Sequence, residues 1–284
     1  MIRIGTRGSA LAMAQARWVA ERIEDETELV PITTAGDRGA EEQDKSRWVS
    51  ELERALLSAQ VDIAVHSAKD VPAELAPGLE LVAIPERADA RDVICGAASL
   101  QELAPGARVG TSSLRRTAQI RAAREDVEVL PIRGNVDTRL RKLAEGQFDA
   151  IVLAGAGLQR LGRQGAPRAN PVVGILEDLV PAAGQGALAI EAQSRDWPLD
   201  GLTDAEATAC VSAERELTRL LQASCNTPIG AHARTVGPDE LELAAWVGRP
   251  DGSAWITDRV RGPAAEVGGA CAERLLSVGA GELL

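Results

Sequence analysis

Lysine is almost missing from this 284-residue chain: Lys45, Lys69 and Lys142 stand against 28 arginines. An excess of positive charge is missing too. The formal net charge of −11 argues against a general nucleic-acid binder, which needs a basic surface to displace counterions from phosphates. No stretch approaches the run of about 18 apolar residues that a membrane span needs. The start, MIRIGTRGSALA, has no long apolar run behind a basic segment, so no export signal is expected and a cytoplasmic location is. Paired metal ligands are lacking as well. Cys95, Cys210, Cys225 and Cys271 form no C-x-x-C pair, and neither His66 nor His232 has a partner at short spacing, so no metal site is expected. No Gly-x-Ser-x-Gly elbow occurs, which leaves His66 and Ser67 beside Asp70 without support for a hydrolase triad.

What is present is an ordinary globular composition, long enough for two or three domains with cores of their own. The first two-thirds alternates short apolar strands (2–6, 29–34, 61–67, 79–85, 92–98, 107–112, 127–133 and 148–156) with helical stretches such as 9–25, 50–59 and 114–124. Strands that are apolar throughout and separated by helices predict a largely parallel sheet covered on both faces. IGTRGSALA (4–12) and VGTSSLRR (109–116) echo one another as strand, Gly-Thr turn, serine and helix, which predicts two similar halves. The second half is expected to end in a Gly/Pro/Asn-rich connection near Pro167–Ile175. Another strand follows at 185–193. A capping box then opens a helix, with Thr203 as N-cap and Glu206 three residues on. Two strands, 241–248 and 253–260, and a closing helix complete the chain.

Three of the four cysteines have a plain place in this layout. Cys95 lies inside an apolar strand, and Cys210 and Cys271 fall on the apolar faces of helices, where a thiol behaves as a small hydrophobe. Cys225 alone falls in a loop, within LLQASCNTPIGAHA.

Four strands end in polar or basic clusters: GTRGS (5–9), HSAKD (66–70), GTSSLRR (110–116) and IRGN (132–135). Ligands of open α/β sheets bind outside the carboxyl ends of strands, and helix N-termini there favour anions. Arginine supplies paired donors that match carboxylate or phosphate. Arg7, Arg115, Arg116, Arg133 and Arg139 are therefore expected to form an anion-binding cleft in an acidic protein. Asp70, directly after a strand, is a candidate acid, base or cation stabiliser.

These motifs, together with IVLAGAGLQRLG (151–162), PAAGQGALAIE (181–191) and ASCNTPIGAHA (223–233), resemble those of the porphobilinogen deaminases, in order and over nearly the whole chain. The resemblance implies an enzyme that joins four porphobilinogen units head to tail, releasing ammonia at each step, and hydrolyses off linear hydroxymethylbilane. It implies a dipyrromethane cofactor tethered by a thioether to a cysteine that matches Cys225. Asp70 matches the catalytic aspartate, which stabilises positive charge on pyrrole nitrogens. Lys69, Thr111, Ser113, Arg115 and Arg116 match positions near the cofactor. Arg7, Ser9, Arg133, Arg139 and Arg160 match the basic cleft that receives acetate and propionate groups. Lys45 and Trp48 fall on the loop over the site. The implied fold is two periplasmic-binding-protein-like (type II) α/β domains with hinge crossings, at 1–86 with 183–201 and at 90–178. A small α+β domain at 205–284 carries the cysteine. The expected partner is porphobilinogen alone, bound by a monomer, with no nucleic acid and no membrane. The alternative is a non-catalytic two-lobed solute-binding protein, which would use the arginine cleft but leave Cys225, Asp70 and the third segment without a role.

Overall fold

The computed structural model describes residues 1–32, 46–163, 172–193, 197, 199–223 and 227–284, with backbone alone at 46–48 and 200. Cys225 and Lys45 lie outside the described residues. Trp48 lies on a described helix, but its side chain is outside the described residues.

Two five-stranded sheets are built to the same plan. In the first, β1 (Ile2–Arg7) runs parallel to β2 (Thr27–Ile32) and to β3 (Ile63–Ser67). The far strand β10 (Leu188–Ala192) enters antiparallel between β3 and β4 (Glu80–Ala83). In the second, β6 (Arg108–Gly110) is parallel to β7 (Glu128–Leu130) and β8 (Ala150–Ala154), and β5 (Asp92–Cys95) is antiparallel to β8 and β9 (Val173–Leu176). The orders β2-β1-β3-β10-β4 and β7-β6-β8-β5-β9 match position for position, and β1 and β6 hold equivalent places, as the sequence echo predicts. This is a two-lobed, mixed α/β arrangement.

The expectation of largely parallel sheets needs correction. Each sheet receives an antiparallel strand just after the chain crosses between lobes, β5 after the first crossing and β10 after the second. A strand buried on both faces, such as β10, reads as apolar whichever way it runs, so periodicity carries no information on direction. The connection expected near 167–175 also contains an edge strand, β9. Its Gly174 lies so close to the Ala98 carbonyl that a Cβ would meet the oxygen at 1.8 Å. The glycine that suggests a loop is there for close strand packing. The helix expected at 50–59 begins earlier, as α2 (Ser46–Leu57), with Val49, Leu52, Ala55 and Leu56 buried along one face. Trp48 thus sits on a helix and not on the loop.

The third domain is an antiparallel sheet of β11 (Ile229–Gly237), β12 (Glu240–Gly248) and β13 (Trp255–Pro263). One face packs on α6 (Ala205–Leu220) and α7 (Val267–Ser277). Sequence reading misses β11, because its inward positions include Ala231 and Ala233, which are poor strand formers. The N-cap of α6 is Asp204, whose carboxylate accepts from the Ala207 N–H at 2.7 Å, not Thr203. Cys210 and Cys271 are buried in this core and Cys95 in β5. Burial pushes the Cys95 thiol up to about 11, and burial first, with Asp258 second, pushes Cys271 up to about 12.

Helix α6 ties this domain to the lobes. The fully buried Glu214 carboxylate accepts from the Arg87 guanidinium at 2.7 and 3.1 Å. It also accepts from the Gly184 N–H and the Ala233 N–H, both at 2.7 Å. Arg87 and Gly184 belong to the two interlobe crossings, so one carboxylate holds both. Next to it, Arg215 donates to the carbonyls of Val71, Pro72 and Ala73 at 3.2, 2.8 and 3.2 Å, directly beyond Asp70.

Candidate active site

Between the lobes runs a cleft of about 800 Å³. Among the described residues its lining carries six basic side chains, Arg7 and Lys69 from the first lobe and Arg116, Arg133, Arg139 and Arg160 from the second, against one acidic residue, Asp137. Asp137 is itself paired with Arg163 at 3.2 Å. In a chain of net charge −11 this is a focused positive field, suited to polycarboxylate ligands.

Local folding delivers each group. Ser9 caps α1 (Ala10–Ala20), accepting from the Ala12 N–H at 3.3 Å. This fixes the end of β1, from which Arg7 enters the cleft. Gly134 has φ +110, and a Cβ there would lie 2.6 Å from Thr138. Glycine therefore permits the turn that presents Arg133 and places Asn135 as the N-cap of α4 (Val136–Ala144). Arg139 Nε donates to the Gly134 carbonyl at 2.7 Å. Arg160, at the end of α5 (Gly155–Arg160), donates to the Gly186 carbonyl at 2.7 Å. Burial lowers its guanidinium to about 10. A cation held in such a place favours an anionic ligand.

Asp70 ends the short 3-10 turn Ala68–Asp70 that follows β3. It lines a recess of about 70 Å³ whose walls include Arg7, Ser9, Gln15 and Ser67, residues that also line the main cleft. The recess therefore opens off the cleft, and Asp70 is the carboxylate on its wall. Ser67 Oγ accepts from Gln15 Nε2 at 2.8 Å, while His66 Nε2 lies 2.9 Å from the buried Glu191 carboxylate. Among the described residues, Ser67 and His66 are thus engaged with Gln15 and Glu191 and not with each other.

The second-lobe turn behaves differently from the first. Ser113 caps α3 (Leu114–Ala123), and Thr111 Oγ1 accepts from the Ser113 N–H at 3.2 Å. Both shape the helix start, and neither is among the residues lining the cleft. Arg115 and Arg116 turn inward onto the fully buried Asp92. Arg115 Nη1 lies 2.8 Å from Asp92 Oδ2 and donates to the Val180 carbonyl at 2.8 Å. Arg116 donates to Asp92 Oδ1 at 3.0 and 2.7 Å and to the Val152 carbonyl at 3.2 Å. Burial opposes ionisation of Asp92, but the two guanidinium groups outweigh it and hold its carboxyl well below the usual carboxylate range. Arg116 still reaches the cleft wall; Arg115 does not.

Sequence reading misses Asp92, Gln15 and Gln185. The only signal for Asp92 is an acid at the head of an otherwise apolar strand.

Comparison with known proteins decides the family. A model described as "Porphobilinogen deaminase, dipyromethane cofactor binding domain" matches residues 2–200, and "Porphobilinogen deaminase, C-terminal domain" matches residues 208–277. The chain belongs to the porphobilinogen deaminase family. Curated relatives named porphobilinogen deaminase agree. That of Thiobacillus denitrificans is 46% identical over 100% of this chain and 97% of its own. Brevibacillus brevis gives 44% over 99% and 96%, and Sorangium cellulosum 47% over 89% and 88%. Among solved structures, the Bordetella pertussis BvgS periplasmic VFT2 domain covers 67% of this chain and 80% of its own at 14% identity, with a TM-score of 0.40. The residues on the cleft fit the cofactor of the family. Dipyrromethane carries acetate and propionate groups on each ring, and among the described residues the lining supplies six basic side chains, of which Arg116 also pairs with Asp92, and a single acid, itself paired with Arg163.

Proposed function

We propose that this chain is a hydroxymethylbilane synthase, a transferase that condenses four porphobilinogen units with loss of ammonia and releases hydroxymethylbilane by hydrolysis. The observation that carries the reading is the placement of Asp70 on a recess opening off a cleft lined by six basic side chains. The bound dipyrromethane supplies the covalent primer on which the chain is extended. Cys225 holds it through a thioether in this reading. Burial has pushed the Cys95 and Cys271 thiols up, so neither offers a ready thiolate.

The other roles follow from position. Arg7, Arg133, Arg139 and Arg160 receive acetate and propionate groups of incoming units, with Ser9 at the head of α1 beside them. Lys69 and Arg116 face the cofactor carboxylates. Thr111, Ser113 and Arg115 support that wall from behind, the first two through the start of α3 and the third through Asp92. Asp70 stabilises the positive charge that develops on a porphobilinogen pyrrole as ammonia leaves, a preorganised contact of the kind that dominates many rate enhancements. Lys45 acts from the segment leading into α2 and Trp48 from the first turn of α2. The lobes correspond to 1–86 with 183–201 and to 90–178, and 205–284 forms the cysteine-bearing domain. The enzyme works as a cytoplasmic monomer, without nucleic acid or membrane.

Intact mass tests the anchor. Cys225→Ala should fold but carry no dipyrromethane and show no turnover, while Cys210→Ala and Cys271→Ala should carry it. An adduct mapped to any other cysteine, or retained in Cys225→Ala, would falsify the assignment. A folded wild-type protein with neither adduct nor turnover of porphobilinogen would favour the solute-binding reading.

A further inference from the structure

The turn Gly184-Gln185-Gly186 lies where the second crossing passes between the lobes. Gly184 has φ +70, and a Cβ there would stand 2.9 Å from the backbone of Ala68 and Lys69. Gly186 has φ +89, and a Cβ there would stand 2.3 Å from the Ala88 carbonyl oxygen. Both positions need glycine, for conformation and for room. Gln185 is thereby wedged between the turn bearing Lys69 and the first crossing, and it is 1% exposed. Its carbonyl accepts from Arg87 Nε at 2.9 Å.

The side chain spans both lobes. Its Nε2 donates to the Ala90 carbonyl at 2.6 Å and to Asp92 Oδ1 at 2.8 Å. Its Oε1 accepts from Lys69 Nζ at 3.3 Å and from Arg116 Nη2 at 3.4 Å. One neutral oxygen thus gathers a cation from each lobe at the cleft wall. Neutrality matters. A carboxylate at this position would neutralise the cations and bring a second negative charge against Asp92. An amide accepts from both without adding charge, while its NH2 end satisfies the carboxylate behind.

We propose that Gln185 is a positioning residue for carboxylate binding: it clamps Lys69 of the first lobe and Arg116 of the second into one two-cation cradle, and so fixes the register of the lobes across the cleft. This rests on the proposed function for the identity of the carboxylate ligand, but the clamp itself has a readout independent of turnover.

The scarcity of lysine supplies that readout. An amine-acylating reagent followed by peptide mapping reports Lys69 against Lys142, a half-buried internal reference on α4 whose Nζ donates to the Arg133 carbonyl at 3.2 Å. Loss of one hydrogen bond to a charged group sets the expected scale: in Gln185→Met the Lys69:Lys142 labelling ratio should rise about fivefold, and the fraction of protein carrying the dipyrromethane adduct by intact mass should fall about fivefold. Gln185→Asn keeps the amide but shortens it, and should fall between Met and wild type in both measures. It carries the decision if the Met variant does not fold. A folded variant whose labelling ratio stays within about twofold of wild type overturns the clamp, even if its melting temperature drops. A changed ratio with an unchanged adduct occupancy overturns the positioning role. Absence of porphobilinogen turnover in wild type overturns the functional reading instead, and the labelling ratio still decides the clamp.

Discussion

The two lobes place the same local grammar at equivalent strand ends and use it for opposite ends. In the first, Arg7 precedes the capping Ser9, so its charge stands outside α1 and enters the cleft. In the second, Arg115 and Arg116 follow the capping Ser113 and occupy the first turn of α3. Positive charge is unfavourable there, because the helix dipole already presents its positive end. Asp92 supplies the compensating carboxylate. A shift of a few residues relative to one serine separates a cation that enters the cleft directly from a pair anchored on Asp92, of which only Arg116 reaches the cleft wall. The ends of β3 and β8 differ in the same spirit: Lys69 and Asp70 follow the first, and the short helix α5, which ends at Arg160, follows the second. The recess carboxylate is on one lobe and the cleft cations are on both.

Removing the compensating acid should break the second lobe most severely. Asp92→Ala leaves two buried guanidinium groups unpaired, and the expected loss is about 3–5 kcal/mol in denaturant unfolding. A loss below about 1 kcal/mol would show that the cluster does not hold the turn.

The first-lobe counterpart is chemical. Asp70→Asn preserves size but removes the charge, so kcat should fall a hundredfold or more, about 3 kcal/mol, with stability near wild type. Turnover within about threefold of wild type would exclude Asp70 as the catalytic carboxylate.

Arg7→Leu sharpens the contrast with Asp92. KM for porphobilinogen should rise about tenfold while the unfolding midpoint stays put; a destabilised variant with normal KM would make Arg7 structural as well.

The caps themselves should be nearly equal. Ser9→Ala and Ser113→Ala should each cost about 1 kcal/mol, and unequal losses in thermal unfolding would show that the turns are not locally equivalent.

The smallest effect is a pH dependence outside the cleft. The Cys95 and Cys271 thiols are raised to about 11 and about 12 from an ordinary 9.0. Their contribution is fully present below pH 9.0 and is lost as pH rises through the folded values, because the unfolded chain releases its thiol protons first. Replacing both by alanine should flatten the alkaline limb of a stability–pH curve; an unchanged limb would assign it to other groups.

Much of this arrangement is legible in the sequence where a local rule decides. The Ser9 and Ser113 turns, the helical burial of Cys210 and Cys271 and the doubled strand–turn–helix pattern follow from short-range chemistry. The direction of β5 and β10 does not, because burial on both faces looks the same either way. Strand β9 hides behind Gly174, and β11 behind its alanines. Asp92 and Gln185 gain their meaning only from partners 24 and 116 residues away in sequence. The basic cleft residues are legible as strand-end arginines, but which of them face a ligand depends on Asp92.

The insertion of β10 between β3 and β4 has a consequence for how the chain is made. All five strands of the second sheet lie within residues 92–176, whereas the first sheet lacks a central strand until residue 188 has been added. The lobe that begins first on the ribosome must therefore finish last. During synthesis β3 and β4 wait with open hydrogen-bonding edges, while the second lobe closes on contacts of shorter sequence separation. Stalled nascent chains ending beyond the second lobe but before β10 should protect the second lobe from protease and leave the first exposed. Equal protection of both lobes at that length would show that the first sheet forms a stable substitute pairing.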